Sequence, residues 1–253
     1  MNTLKITREE DYAIVQLDRG RSNPINQEML DDLQRAFEAF SLDTSVKGVI
    51  LTGKEKFFSS GLDVIELYGY NEEQIAKLFK SLFATIGALL AFPKPVVASI
   101  TGHSPAGGCV LALCCDYRVM AAGKYRIGLN EIPVGIIIPE YIYELMAYWI
   151  GAGKAFQCIA NGALLSGEEA RALMLIDELI AEEEVLERSI LQLKKFQSFS
   201  ANTWSVSKSN MRAPLLQHFK EFNASSLEEL MKQWWSTETR SILGALVAQL
   251  TQK

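Results

Sequence analysis

A single glutamate, Glu131, stands in an apolar run, flanked by Leu129, Ile132 and Val134, with Ile136 to Ile138 close behind. Burial penalises the charged form of a carboxyl, so an acid in such surroundings ionises nearer neutral pH, where it can take a proton and give it back. Two glycine-bearing segments accompany it, Ser59-Ser60-Gly61-Leu62-Asp63 and Pro105-Ala106-Gly107-Gly108-Cys109, each where a helix is expected to begin. The first N–H groups of a helix lack an intrahelical acceptor, and the helix dipole favours negative charge there. Two such groups converging on one point make an oxyanion hole. Taken singly, each feature has a plainer reading: ordinary glycine turns and a surface-loop acid. Val110, just after the glycine pair, puts an isopropyl group at a position that could carry a second acid. Chemistry that needs two carboxylates is therefore disfavoured. Chemistry in which one base removes a proton and returns it elsewhere is favoured.

Other catalytic plans find little support. Of the histidines, His103 and His218, neither stands in an H-E-x-x-H spacing or beside a G-x-S-x-G elbow. His103 reads as a turn residue that packs or bonds to backbone, and His218 as a surface residue. Neither G-x-x-x-x-G-K-[ST] nor G-x-G-x-x-G occurs. Cys109, Cys114, Cys115 and Cys158 lack metal-ligand spacing and read as small buried apolar groups in a reducing compartment. No metal is expected. A formal charge of -5 argues against a nucleic-acid footprint or a polybasic membrane patch. The start of the chain runs straight into an alternating strand pattern, and the apolar stretches are interrupted short of a membrane span, so a cytoplasmic protein is expected.

The elements around these residues follow from periodicity. Two short strands occupy the first 18 residues, Tyr12 to Leu17 being the clearer. Met29, Leu30, Leu33, Phe37 and Phe40 give residues 26 to 40 the stripe of an amphipathic helix. Val46 to Thr52 reads as a buried strand, the Phe57–Asp63 segment as a loop, and residues 72 to 92 as a long helix ended by Pro93. Pro95 to Ile100 is a strand, Pro105 to Cys114 an apolar helix, and short strands follow near Asp116 to Met120 and Tyr125 to Ile127. Ser166 begins a helix, and residues 182 to 197 form a charged one. The alternation predicts α/β layering. Beyond residue 200 the pattern is helical, with exposed-looking Trp204, Trp234 and Trp235, which makes this tail either a cap on the core or an oligomer surface.

The residues Phe57 to Asp63, Ile100 to Cys109 and Cys115-Asp116-Tyr117-Arg118, in this order and separation, resemble the crotonase superfamily of enoyl-CoA hydratases and isomerases. The resemblance implies a spiral of repeated ββα units over residues 1–199 and a helical trimerisation region over 200–253, assembled as a homotrimer or a dimer of trimers. It implies an acyl-CoA thioester as substrate, with coenzyme A part of that substrate and no separate cofactor. The thioester oxygen would sit between the N–H groups of Leu62 and Gly107. Ser59, Ser60, Gly61, Leu62 and Asp63 would line the substrate path, and the basic segment Arg19 to Asn23 would approach the CoA phosphates. Hydratases of the family carry a first glutamate where this chain has Val110 and a second where it has Glu131. The stretch from Tyr125 to Glu131, with Gly135 to Pro139, resembles the Δ3,Δ2-enoyl-CoA isomerase branch, in which Asn130 would line the acyl site beside the acid/base Glu131. A shift of a double bond in unsaturated fatty-acid β-oxidation is the expected activity. Glu140 departs from that pattern and leaves open a hydratase or dienoyl-CoA isomerase using it with Glu131. A non-catalytic acyl-CoA-binding protein is the remaining alternative.

Overall fold

The computed structural model describes residues 1–220 and 224–252. The chain opens with an antiparallel pair, β1 (Leu4–Arg8) and β2 (Ala13–Leu17), followed by α1 (Gln27–Leu42). Asn26 caps α1 by accepting the Met29 N–H at 3.1 Å, and the stripe from Met29 to Phe40 is buried as its spacing predicts.

Successive turns of a spiral come next. One contains β3 (Val49–Thr52), β4 (Lys56–Phe57), α2 (Val64–Tyr68) and α3 (Glu72–Ala91). The next contains β5 (Val96–Ile100), β6 (Gly102–Pro105) and α4 (Gly107–Cys114). Then follow β7 (Tyr117–Ala121), β8 (Ile127–Gly128), a 3-10 turn at Ile132–Val134, α5 (Glu140–Ile150), α6 (Ala152–Ala160), α7 (Gly167–Ala172), β9 (Glu178–Ile180) and α8 (Val185–Gln197). Each turn contributes a strand to a large sheet ordered β1-β2-β3-β5-β7-β9 and a strand to a small one ordered β4-β6-β8. From β2 onward the large sheet is parallel, as is the small one.

The central strands are apolar without alternation because both faces are covered. Leu51, Ala98 and Met120 face the main core, which α1 and α3 share, whereas Ile50, Val97 and Val119 pack under Val185 and Leu193 of α8. The small sheet is a departure from the sequence reading, which made Phe57 part of a loop and Gly102 to Pro105 the entry to a helix. Its strands are too short to show a period. His103 pairs with Phe57 in this sheet and accepts the Arg126 N–H on Nδ1 at 3.2 Å, so its role is structural. β9 also escaped the sequence reading.

By length and composition α3 is apolar enough to cross a membrane, which the sequence reading did not expect. In the fold Ile75, Leu78, Phe79, Phe83 and Ile86 are buried against neighbouring elements.

α9 (Ala201–Lys220), α10 (Ala224–Trp234) and α11 (Thr237–Thr251) fold back over the core. Buried Lys208 and Arg212 of α9 pair with Asp116 at 2.7 and 2.8 Å, and Arg212 donates to the Cys114 carbonyl at 2.8 Å. Trp234 is 1% exposed and meets Phe79 edge-on, correcting its exposed-looking reading; Trp204 and Trp235 are half-buried.

Candidate active site

The loop Ser59–Asp63 is strapped to residues 22–25. Ser60 N–H donates to the Ser22 carbonyl at 2.9 Å, Ile25 N–H to that of Gly61 at 2.8 Å, and Asp63 N–H to that of Ile25 at 2.8 Å. This short parallel bridge uses the groups on either side of Leu62 and leaves the Leu62 N–H unbonded among the described residues. Asp63 then caps α2 through the Glu66 N–H at 3.0 Å.

Gly107 opens α4, so its N–H lacks an intrahelical acceptor. Ala106 before it has φ +49° and ψ -124°, a conformation that costs a side-chain-bearing residue about 1–3 kcal/mol. That ψ sets the plane of the following peptide, and with it the direction of the Gly107 N–H. The two loops nearly touch. A β-carbon on Gly61, itself at φ +84°, would lie 3.0 Å from Ala106 Cβ and 3.1 Å from Gly107 N. One on Gly107 would lie 3.5 Å from Leu62 N. Two N–H groups from distant segments, neither with an acceptor among the described residues, thus lie close together.

In front of them lies a cavity of about 800 Å³ whose lining includes Ser60, Leu62, Asp63, Gly107, Asn130 and Glu131. Ser59 and Gly61 do not line it. The buried Ser59 hydroxyl donates to the Asn23 carbonyl at 2.8 Å and accepts the Gly61 N–H at 3.2 Å, so it braces the loop from behind.

Glu131 follows β8 and heads the 3-10 turn. The residue is half-buried, but its Oε2 is sealed and without a hydrogen-bond partner. Burial pushes its carboxyl up to about 7, against a smaller downward pull from the backbone N–H groups of Glu131 and Asn130. Val110, 4% exposed, lines the same cavity. Glu140 is exposed and borders a separate cavity with Tyr143, His218 and Glu229, so the structure does not bring it to Glu131. Asp63 and Glu66 do border the main cavity, but Arg19 holds both, Asp63 at 2.6 Å. Arg19, in the segment that the sequence reading placed near the CoA phosphates, also donates to the Pro24 carbonyl at 3.0 Å, so its guanidinium ties this loop together. Arg21 of the same segment is exposed.

Residues 7–241 match the family model for enoyl-CoA hydratase/isomerase. The chain belongs to this family. It is 35% identical over 202 residues, 79% of this chain and 70% of the relative, to the mouse protein named enoyl-CoA delta isomerase 1, mitochondrial. The crystal structure of human mitochondrial delta3-delta2-enoyl-CoA isomerase matches with a TM-score of 0.96 and 25% identity, covering 99% of this chain and 98% of that one. A Bacillus subtilis protein named probable enoyl-CoA hydratase is 29% identical over 209 residues, 80% of this chain and 79% of the relative. This member of the family is therefore an enzyme with the crotonase fold, and its relatives carry both isomerase and hydratase names.

The sequence reading expected the segment 63–92 to fold over the acyl tail but named no residue of the cavity's far wall. Phe79, Leu82, Phe83 and Ile86 of α3 form it with Ile142 of α5, Leu230 of α10, and Leu246 and Leu250 of α11. The long helix was legible, but a helix by itself does not say which of its side chains face packed neighbours and which a cavity.

Proposed function

We propose that the protein is a Δ3→Δ2-enoyl-CoA isomerase working by a one-carboxylate 1,3-proton transfer. The observation that carries this reading is Glu131, its Oε2 without a partner among the described residues, in one cavity with Leu62 and Gly107, with Val110 in the same lining and the other bordering carboxylates held by Arg19.

The Glu131 carboxylate removes a C2 proton from a 3-enoyl thioester, whose carbonyl already acidifies that position. The electron pair moves into a dienolate, and its negative oxygen is held by the two N–H groups. Protonated Glu131 then delivers the same proton to C4, which leaves the 2-enoyl thioester and restores the base. Substrate and product are isomers, so the step needs no co-reactant, and neither a metal nor a separate cofactor is part of this reading. Unsaturated fatty-acid β-oxidation is the process that would use it. A homotrimer or dimer of trimers is the expected assembly, which light scattering would test. Four buried free cysteines suit the reducing cytoplasm.

The test gives purified protein 3-enoyl-CoA and follows the conjugated product, with water addition to 2-enoyl-CoA assayed in parallel. Glu131→Gln should lower kcat by roughly 10²–10⁴-fold. Because the reaction begins with the ionised carboxylate, kcat/KM should rise with pH through about 7 and level off above it. Full activity in the Gln variant, or hydration as the dominant reaction, would remove the reading.

A further inference from the structure

Among the described residues, no side chain holds Glu131 Oε2. A proton carrier that serves two carbons gains from this freedom, yet something must fix the height of its turn in the cavity. The turn closes on itself: Val134 and Ile136 N–H groups both donate to the Glu131 carbonyl at 3.0 Å, and Gly135 follows in the left-handed region at φ +75°. Two side chains of the C-terminal helices grip the far end of this turn. Thr239, 2% exposed in the first turn of α11, donates its hydroxyl to the Gly135 carbonyl at 3.0 Å. Gln233 of α10 donates Nε2 to the same carbonyl and to Thr239 Oγ1, the latter at 2.6 Å. A β-carbon on Gly135 would lie 3.0 Å from Ile242 Cδ1, so α11 also packs against the turn.

We propose that Thr239 and Gln233 are positioning residues for Glu131: through the Gly135 carbonyl they fix the turn so that the carboxylate reaches the substrate while its Oε2 stays shielded from water. This rests on Glu131 being the proton carrier. The tail of the chain thereby sets the geometry of a base more than 100 residues away.

The test compares Thr239→Val, Thr239→Ser and Gln233→Leu with the unmodified protein. The valine keeps the shape and removes the hydroxyl. Its kcat for 3-enoyl-CoA should fall by about tenfold to a hundredfold, with KM changed little. As water reaches the carboxylate, the acidic limb of the pH profile should move about one unit toward lower pH. The limb should report Glu131 itself. Burial pushes the neighbouring Cys109 thiol of α4 far above neutral, and Asp63 and Glu66 are paired with Arg19 at the cavity wall. Thr239→Ser should restore both kcat and the limb. Gln233→Leu, at a half-buried position, should show the same signs and provides a second route if the valine variant does not fold. Amide exchange at Val134 and Ile136, read without substrate, should quicken in the variants. A wild-type profile in Thr239→Val, or a loss of kcat with an unmoved limb and no rescue by serine, would overturn the proposal. Absence of isomerase activity in the unmodified protein would instead remove the proposed function, and amide exchange would still decide whether the tie holds the turn.

Discussion

Glu131 carries a cost in the folded state because its charge is poorly solvated. Burial pushes its folded carboxyl up to about 7, from an ordinary value of 4.5. Below 4.5 it is protonated whether folded or unfolded and costs nothing. Between 4.5 and 7 the unfolded chain releases the proton that the folded chain keeps, so stability falls with rising pH until both forms are ionised. Glu131→Gln should therefore raise stability above pH 7 by up to about 3 kcal/mol, a gain that fades as pH falls toward 4.5. Denaturant unfolding at pH 8 and pH 4.5 measures it, and an equal gain at both would show that burial of the charge is not the cause. Val110 is the complementary position. Val110→Glu adds a carboxyl to the cavity that holds Glu131, and water addition to 2-enoyl-CoA should appear as loss of the conjugated-thioester absorbance. A folded variant without it would show that a second acid at this site is insufficient.

At the scale of elements, the proposed oxyanion pair depends on two loops meeting. The loop before α2 is tied to residues 22–25, and the Ala106 conformation aims the first N–H of α4. Gly61 sits where they touch. An alanine there is strained twice, by φ +84° and by a β-carbon 3.0 Å from Ala106 Cβ and 3.1 Å from Gly107 N. Gly61→Ala should push the loops apart and lower kcat by roughly 10²–10³-fold, while circular dichroism stays that of the unmodified protein. Retained kcat would mean that Leu62 and Gly107 do not act as a pair. The small sheet underlies this meeting: pairing of Phe57 with His103 and of Ser104 with Ile127 places the loops after β4, β6 and β8 side by side.

The whole molecule decides how the acyl chain of the proposed substrate would be held. Leu230, Phe83 and Ile142 are each under 7% exposed and lie on the apolar wall away from the polar residues. Each methylene that enters there should improve kcat/KM by roughly fourfold, from about 0.8 kcal/mol per buried CH₂. The rise should stop at the length that fills the cavity, and Leu230→Trp should move that stop to shorter chains without loss on the shortest substrate. A flat profile over a series of 3-enoyl-CoA chain lengths would show that the tail does not enter this wall. Leu230, Leu246 and Leu250 all belong to the C-terminal helices, whose first, α9, is pinned to the core where buried Lys208 and Arg212 pair with Asp116.

Much of this enzyme is written locally. The stripe of α1, the uniformly apolar strands and the two glycine loops each follow from neighbours in the chain, because local sterics and period set them. So does the chemistry of a lone acid in an apolar run: its Oε2 is sealed, and burial pushes its carboxyl up to about 7. Tertiary structure alone decided what those parts meet. Glu140 is close to Glu131 in sequence yet faces another cavity, because the 3-10 turn and the start of α5 carry it away. Nothing near Arg19 in sequence shows that Asp63 and Glu66 are its ion-pair partners. Trp234 looked exposed until Phe79 covered it. Thr239 carries no sign that it serves Gly135. An apolar period shows that a face will be buried, and a polar side chain that it needs a partner. The identity of the partner depends on contacts between distant segments, and these exist only once the chain has wound into its spiral.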